Sequence, residues 1–350
     1  MSNKQEIIDV LSLSGQSKEF TYIDLFCGAG GFSLGFKNAG FKNIFSLDIE
    51  KSFCETYKYN FKEHILIEKD LAKLSEEEIL ILTKEEEVDV IIGGPPCQGF
   101  SIAGNIGRKF INDPRNRLFK EFVRVVSIVK PNSFVMENVA RLYTHNKGQT
   151  RAEIIHDFDK LGYKVECRIL NSADYGVPQV RKRVIFIGSK KKENIVFPRV
   201  SHEVYATVKD TLKNLPVLNS GDISSIPNHK AMNHTEQMLT KMSFVTDGGD
   251  RTEIPSQLRP KSGDVRKYIK YNSSKPSITI TGDMRKVFHY EQNRALTVRE
   301  LARLQTFPDN FVFQGNSISQ QQQVGNAVPP VMANAIAMSI KTMLKQQVEA

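Results

Sequence analysis

Apolar and polar positions alternate along this chain in two periods. Thr21 to Phe26 (TYIDLF) is an apolar, β-prone run that ends in CGAGG, and Phe32, Leu34 and Phe36 follow among small residues in a helical stretch. Asn43–Leu47 reads as a second short strand that ends at Asp48. Val88–Ile92 (VDVII), Ser133–Met136 and Val184–Ile187 read as further buried strands. Between them lie helical patterns such as Leu118–Val129, where apolar residues recur at helical spacing. Strands alternating with helices predict an α/β domain around a mostly parallel sheet. Each polar motif falls at or beside a strand end, which is where open α/β sheets bind ligands.

The texture changes after Gly188. Residues 190–290 hold six of the 14 prolines and show few periodic segments, which predicts a separate, irregular, loop-rich domain. Order returns in TVRELARLQTFP, with Thr297 as helix cap, Glu300 three residues on, apolar Leu301 and Leu304, and Pro308 beyond the end. A last helix is expected over Val331–Met343 and a short amphipathic one over Met1–Leu13. The expected organisation is an α/β domain at 1–188, an irregular domain at 189–290, a hinge with a bridging helix at 291–315, and a segment at 316–350 that returns to the first domain.

Composition narrows the class. Hydrophobic residues are 40% and charged residues 25% of the 350, the balance of a soluble globular chain. No run of 18 apolar residues exists, so no membrane span is expected, and Met1–Leu13 carries acidic residues and no small-residue cleavage site. The expected compartment is the cytoplasm. Cys27, Cys54, Cys97 and Cys167 lack zinc spacing and offer no disulfide framework, and the seven histidines form no metal pattern, so no metal is expected. The net charge is +9, and the span from Lys190 to Lys286, with 17 basic and 10 acidic residues, carries most of it. That concentration suits a polyanion such as nucleic acid.

Four motifs carry candidate chemistry. In DLFCGAGG (24–31), Gly28, Gly30 and Gly31 permit a tight turn close to a ligand, and Asp48, 17 residues past Gly31, can accept the hydroxyls of a ribose. The same turn can also be purely structural. In GGPPCQGFS (93–101), Cys97 follows two prolines at a strand end, and the stretch 98–117 is glycine-rich, polar and basic. A buried structural thiol is one reading; a thiolate favoured by nearby Arg and Lys is the other. In FVMENV (134–139), Glu137 and Asn138 sit at a strand end, either to cap a helix or to act on a ligand. In QVRKRV (179–184), Gln179, Arg181 and Arg183 alternate on one face, either solvated or holding a polar planar ligand.

Together with RALTVRELARLQTFP (294–308) and QVGNAVPP (323–330), these segments resemble the ordered motif set of the cytosine-5 DNA methyltransferases of bacterial restriction–modification type. The resemblance covers 21–188 and 294 to about 340. It implies a Rossmann-like, S-adenosylmethionine-dependent methyltransferase fold with a smaller, irregular target-recognition domain at 190–290. It also implies methyl transfer to carbon 5 of a flipped-out cytosine in double-stranded DNA, with S-adenosylhomocysteine as the other product.

By the same resemblance Cys97 is the nucleophile, Glu137 meets the ring N3 and amino group, Arg183 holds O2 and Arg181 positions Glu137. The cofactor pocket would comprise Phe26 against adenine, the Gly28–Gly31 turn at the methionine part, Asp48 at the ribose, and Ile49, Asp70, Leu71, Pro96, Asn326 and Val328. Ile49 stands where the family commonly has an aromatic residue. Gln98, Ser101, Arg115, Arg117, Thr279 and Thr281 are the implied DNA contacts, although an ordinary threonine-rich strand accounts better for the threonines that follow SITI (277–280) and lie within it. The expected state is a monomer without an obligate protein partner. Three rival readings are a tRNA cytosine methyltransferase, a non-catalytic DNA-binding protein and a nicotinamide-dependent oxidoreductase. The recognition-length insert opposes the first, the intact Cys97, Glu137, Arg181 and Arg183 oppose the second, and the third leaves Cys97 and Glu137 without a role.

Overall fold

Strand β1 (Thr21–Leu25) is buried along its whole length, including its one carboxylate, and is an interior strand, third in a seven-stranded sheet. The computed structural model describes residues 18–84, 86–96, 117–190, 195–201, 204–260 and 267–349; the Met1–Leu13 helix expectation lies outside them. Around β1 stand β2 (Lys42–Asp48), β3 (Leu66–Glu68), β4 (Val90–Gly93), β5 (Ser133–Val139), β6 (Lys164–Asn171) and β7 (Lys182–Ser189) in the order β3-β2-β1-β4-β5-β7-β6. The first five run parallel, and β7 pairs antiparallel with β5 and β6. The expected α/β class with a mostly parallel sheet is therefore observed.

Period-2 alternation gives the sheet two apolar faces. Tyr22, Val90, Ile92, Val135 and Ile185 face one side, where helix α1 (Gly31–Asn38) brings Phe32 and Phe36. Ile23, Ile91, Phe134, Met136 and Phe186 face the other, against α4 (Arg117–Val129) and α5 (Gln149–Asp159). Helices α2 (Lys51–Asn60) and α3 (Glu76–Thr83) lie between these in sequence. The chain then carries little regular structure through α6 (Val208–Leu212), α7 (Glu236–Ser243) and the two-residue strands β8 (Ile269–Lys270) and β9 (Val287–Phe288). It continues through α8 (Val298–Leu304), α9 (Ser317–Asn326) and α10 (Pro330–Glu349). Met332, Ile336, Ile340 and Met343 of α10 are buried in the α1 face of the core, which accounts for the apolarity of this long helix.

Three local expectations change. Strand β5 does not stop at Met136, because β7 pairs with it as far as Val139 opposite Arg183, so Glu137 and Asn138 lie within the strand. Edge strand β6 was not expected; its half-exposed, charge-interrupted sequence KVECRILN lacks the apolar run of a central strand. SITI is not a strand. A single bridge joins Gln179 to Ser277, after which side chains replace the ladder: Ile280 N–H donates to Gln179 Oε1 at 2.9 Å, and Arg181 Nη1 donates to Ile280 O at 3.2 Å.

The expected cap at Thr297 forms in full. Thr297 Oγ1 accepts from Glu300 N–H at 3.2 Å and Glu300 Oε2 accepts from Thr297 N–H at 2.7 Å. Arg294, fully buried, also donates to both Glu300 oxygens at 2.8 and 2.6 Å. Burial works to raise the Glu300 pKa, and Arg294 outweighs it and holds the carboxyl below its ordinary value. Arg294→Ala leaves that carboxylate buried without its cation, so unfolding free energy should fall by about 3–5 kcal/mol, read from the urea midpoint at neutral pH. Because the folded pKa is the lower one, this stabilisation is complete above the ordinary glutamate pKa and is lost as pH falls through the folded value. The gap between variant and wild type should therefore narrow in acid, and a constant gap would refute the ion-pair account.

Candidate active site

A cleft of about 620 Å³ opens where the strand order turns back, at the carboxyl ends of β1, β2, β4 and β5. The glycine turn forms its floor. Phe26 leaves β1 in the left-handed region, at φ 61°, a conformation that a bulky side chain seldom adopts outside functional turns. Gly28 follows at φ 55°, and a Cβ there would meet no protein atom within 4 Å, so the backbone faces open cleft. A Cβ on Gly31 would instead come within 2.3 Å of Val328 O, so this glycine lets the C-terminal segment close one wall.

Asp48 ends β2 beside the turn. Its Oδ2 accepts from Gly28 N–H at 2.8 Å and its Oδ1 from Glu50 N–H at 2.9 Å. Burial pushes this carboxyl above the ordinary range, and those backbone donors oppose the shift. Ile49, 66% exposed, Asp70 and Leu71 line the same cleft, and Asp70 Oδ1 accepts from Ala72 N–H at 3.0 Å. Pro96, Asn326 and Val328 complete the expected set along the cleft. Gly30 is the correction. It does not line the cleft but begins α1 at φ 95°, where a Cβ would strike the Phe61 ring, so it serves packing.

Glu137 and Arg183 line the same cleft and form an ion pair, Arg183 Nε to Glu137 Oε1, at 2.9 Å. The expectation that Arg181 positions Glu137 meets a different geometry. Arg181 lies one step before β7, fully buried, and its Nη1 donates to Ile280 O at 3.2 Å and Gly325 O at 3.0 Å. Burial, then the charge of Arg183, lower the Arg181 pKa, and Glu137 opposes them. Arg181 therefore anchors the SITI segment and the C-terminal wall, while Arg183 is the guanidinium in contact with Glu137.

Asn138 Nδ2 donates to Pro95 O at 3.0 Å and ties the proline pair to β5. Cys97, Gln98, Ser101 and Arg115 lie outside the described residues. Arg117 is exposed as the first residue of α4. Thr279 is half-buried with its hydroxyl donating to Val180 O at 2.9 Å, and Thr281 Oγ1 lies 3.5 Å from Met284 Sδ, so both hydroxyls already have intramolecular partners. Cys27, Cys54 and Cys167 are free thiols. Burial pushes Cys27 well above its ordinary pKa and Cys54 up to about 12, so neither supplies a thiolate near neutral pH.

Sequence reasoning missed Asp24, Phe53 and Lys69 as lining residues, whereas Asn138, singled out in FVMENV, does line the cleft. Only Asp24 carried a signal, a carboxylate inside the apolar run TYIDL. The lining suits S-adenosylmethionine: an open backbone at Gly28, a carboxylate at the end of β2, and a buried Asp24 oxygen without a partner.

A doubly wound sheet with an antiparallel β7 and this cleft at its switch point defines an S-adenosylmethionine-dependent methyltransferase of the α/β class. Residues 20–342 match the C-5 cytosine-specific DNA methylases, and the chain belongs to that family. It is 63% identical over 323 residues to the Type II methyltransferase M1.HphI of Haemophilus parahaemolyticus, covering 92% of this chain and 87% of that protein. It is 36% identical to the Type II methyltransferase M.DdeI of Desulfomicrobium norvegicum, covering 91% and 88%. A crystal structure of a prophage-encoded DNA modification methyltransferase from E. coli superposes with a TM-score of 0.76 at 26% identity, covering 93% of this chain and 99% of that one. The enzyme class expected from the sequence, a DNA cytosine-5 methyltransferase, is the one this family defines, and the tRNA reading is not favoured.

The two glycines separate steric from conformational strain. Gly28→Ala should cost about 1–2 kcal/mol, the ordinary penalty for a left-handed alanine. Gly31→Ala should cost more, because backbone must move away from a 2.3 Å approach. Urea unfolding of the two variants checks the order, and a larger loss for Gly28→Ala would contradict the closure of the wall by Val328.

Proposed function

We propose that this chain methylates carbon 5 of a flipped-out cytosine in a specific duplex DNA sequence, with Cys97 as nucleophile, and so shields that sequence from a cognate restriction enzyme. The observation that carries the reading is the Glu137–Arg183 pair, which lines the same cleft as the glycine turn, Asp48 and Pro96, the residue before Cys97. The Type II names of the relatives supply the restriction–modification role. Phe26, Asp48, Ile49, Asp70, Leu71, Asn326 and Val328 would hold the cofactor, which when bound supplies an electrophilic methyl group on sulfur.

Carbon 5 of cytosine is a poor nucleophile. Addition of the Cys97 thiolate to carbon 6 moves a ring electron pair toward carbon 5 and makes the ring enamine-like. Glu137 faces N3 and the amino group and supplies a proton as charge builds there, with Arg183 fixing that carboxyl and reaching toward O2. With the methyl group on carbon 5 and S-adenosylhomocysteine departed with the electron pair of the broken S–CH3 bond, loss of the carbon 5 proton would let the Cys97 sulfur leave. A base stacked in a duplex cannot reach such a cleft, so it must be flipped out. The basic residues between Lys190 and Lys286 suit the phosphate backbone, with Arg115 and Arg117 as further phosphate contacts and Gln98, Ser101, Thr279 and Thr281 facing the target strand.

Bisulfite sequencing of DNA from cells producing this chain tests the reading, with 5-methylcytosine expected in one short sequence and no new methylation as the outcome that ends it. Cys97→Ser should abolish transfer, and DNA carrying 5-fluorocytosine should trap a crosslink at Cys97, since fluorine cannot leave as a proton does; wild-type turnover in Cys97→Ser would remove the nucleophile. Glu137→Gln should lower kcat by about 10²–10⁴ in a tritium-transfer assay, the usual contribution of a positioned acid. An unchanged kcat would take Glu137 out of the chemistry.

A further inference from the structure

Four glutamines stand in a row in α9, Gln320 to Gln323, and three of them are used inside the protein. Gln320 Nε2 donates to Phe313 O at 3.1 Å and to Gly315 O at 2.9 Å. Gln321 Oε1 accepts from Met284 N–H at 3.0 Å. Gln323 Oε1 accepts from the Thr56 hydroxyl at 2.6 Å, and its Nε2 donates to Gln314 O at 3.0 Å. Gln322 is the exception: it is exposed, and its amide meets no protein partner among the described residues. The helical turn explains the split. Consecutive side chains point about 100° apart, which sends Gln321 toward Met284 and Gln323 toward α2 and leaves Gln322 between them.

The position of Gln322 sets it apart from ordinary solvated helix surface. One turn further along the same face stands Asn326, also exposed, which lines the cleft. On the other side lies Gly282, where a Cβ would come within 3.2 Å of Gln322 Cγ. Thr281 and Gly282 in turn press on Gly325, where a Cβ would come within 2.4 Å of the Thr281 carbonyl carbon, and Gly325 lines the cleft as well. Gln322 therefore stands on the rim, just outside the cleft that holds Glu137 and Arg183. A base that enters such a cleft leaves its sugar and phosphates at the rim. The neighbouring cations are already engaged, Lys267 and Arg285 with Asp283, the residue after Gly282, and Arg183 with Glu137.

We propose that the Gln322 amide donates from Nε2 to a phosphate oxygen of the strand that carries the target cytosine, beside the flipped nucleotide. The inference rests on the cytosine-methylation reading above and assigns a positioning residue to it. A phosphodiester accepts hydrogen bonds and has no proton to offer, so the amide presents Nε2 and leaves Oε1 to water. Such a contact fixes where the backbone runs and carries no base preference. It is also uncharged, so it releases no counter-ion, unlike a Lys or Arg at the same place. A side chain at Gly282 would crowd the amide, and glycine there leaves it free to turn toward the strand.

Anisotropy titration of a duplex carrying the sequence that bisulfite mapping returns, with S-adenosylhomocysteine present, tests this without turnover. Gln322→Ala should bind that duplex about three- to tenfold more weakly than wild type, the loss of one hydrogen bond. Its calorimetric affinity for S-adenosylhomocysteine alone should be unchanged. Replacing one flanking phosphate at a time by an uncharged methylphosphonate locates the contact. At one position wild type should lose affinity and Gln322→Ala should lose less, with equal penalties for the two proteins elsewhere. Gln322→Lys should restore or tighten binding, with the slope of log K against log salt steeper by about 0.9. Wild-type duplex affinity in Gln322→Ala, a matching loss of S-adenosylhomocysteine affinity, or equal penalties in both proteins at every flanking phosphate would overturn the assignment while leaving the cytosine reading intact. Failure of the folded wild-type chain to bind or methylate any duplex would instead overturn that reading and this inference with it.

Discussion

Gln179 and Arg181 lie just before β7, both without contact to water, and between them they satisfy the peptide groups of Ile280. A strand neighbour would normally do this. Here an amide and a guanidinium do it, and each reaches onward. Gln179 Nε2 donates to Gln305 Oε1 at 2.7 Å, Gln305 Nε2 donates to Val324 O at 2.7 Å, and Arg181 Nη1 donates to Gly325 O at 3.0 Å. Three distant stretches of chain are joined at one point: the end of the catalytic sheet, the SITI segment and the residues before Asn326. Buried networks of this kind fix one arrangement, because any displacement leaves further polar groups unpaired beside Arg181 Nε, which is buried without a partner.

The same polar residues explain how Glu137 is presented. Alternation along QVRKR puts Arg181 and Arg183 on one face along the cleft; Arg181, just before β7, reaches the junction, and Arg183 stands in register with Val139 on β5, next to Glu137. One short segment therefore serves assembly with its buried members and holds the Glu137 carboxylate with its half-buried one. Exposed Lys182, on the opposite face, belongs to neither role.

Much of this was legible because the physics is local. The apolar runs at Thr21, Val88 and Ser133 bury both faces of central strands, and such strands leave a strong sequence signal. The capping box at Thr297 is a four-residue pattern with a four-residue structure. What stayed hidden depends on partners far along the chain. Edge strand β6 shows little apolar pattern because one of its sides has no neighbour. The irregular course of SITI depends on side chains about a hundred residues away. Gly28 and Gly30 look alike in DLFCGAGG, yet only the fold shows that one faces the cleft and the other faces Phe61.

The close approach of Gly31 to Val328 joins the first helix to a segment near the other end of the sequence. Floor and wall of the cleft are thus made from segments about 300 residues apart in the chain. A nascent chain that has already folded β1, β2 and α1 still lacks Asn326, Val328 and the α10 side chains that cover the same face of the sheet. The cleft is therefore incomplete until the segment carrying Asn326 and Val328 has packed against the glycine turn.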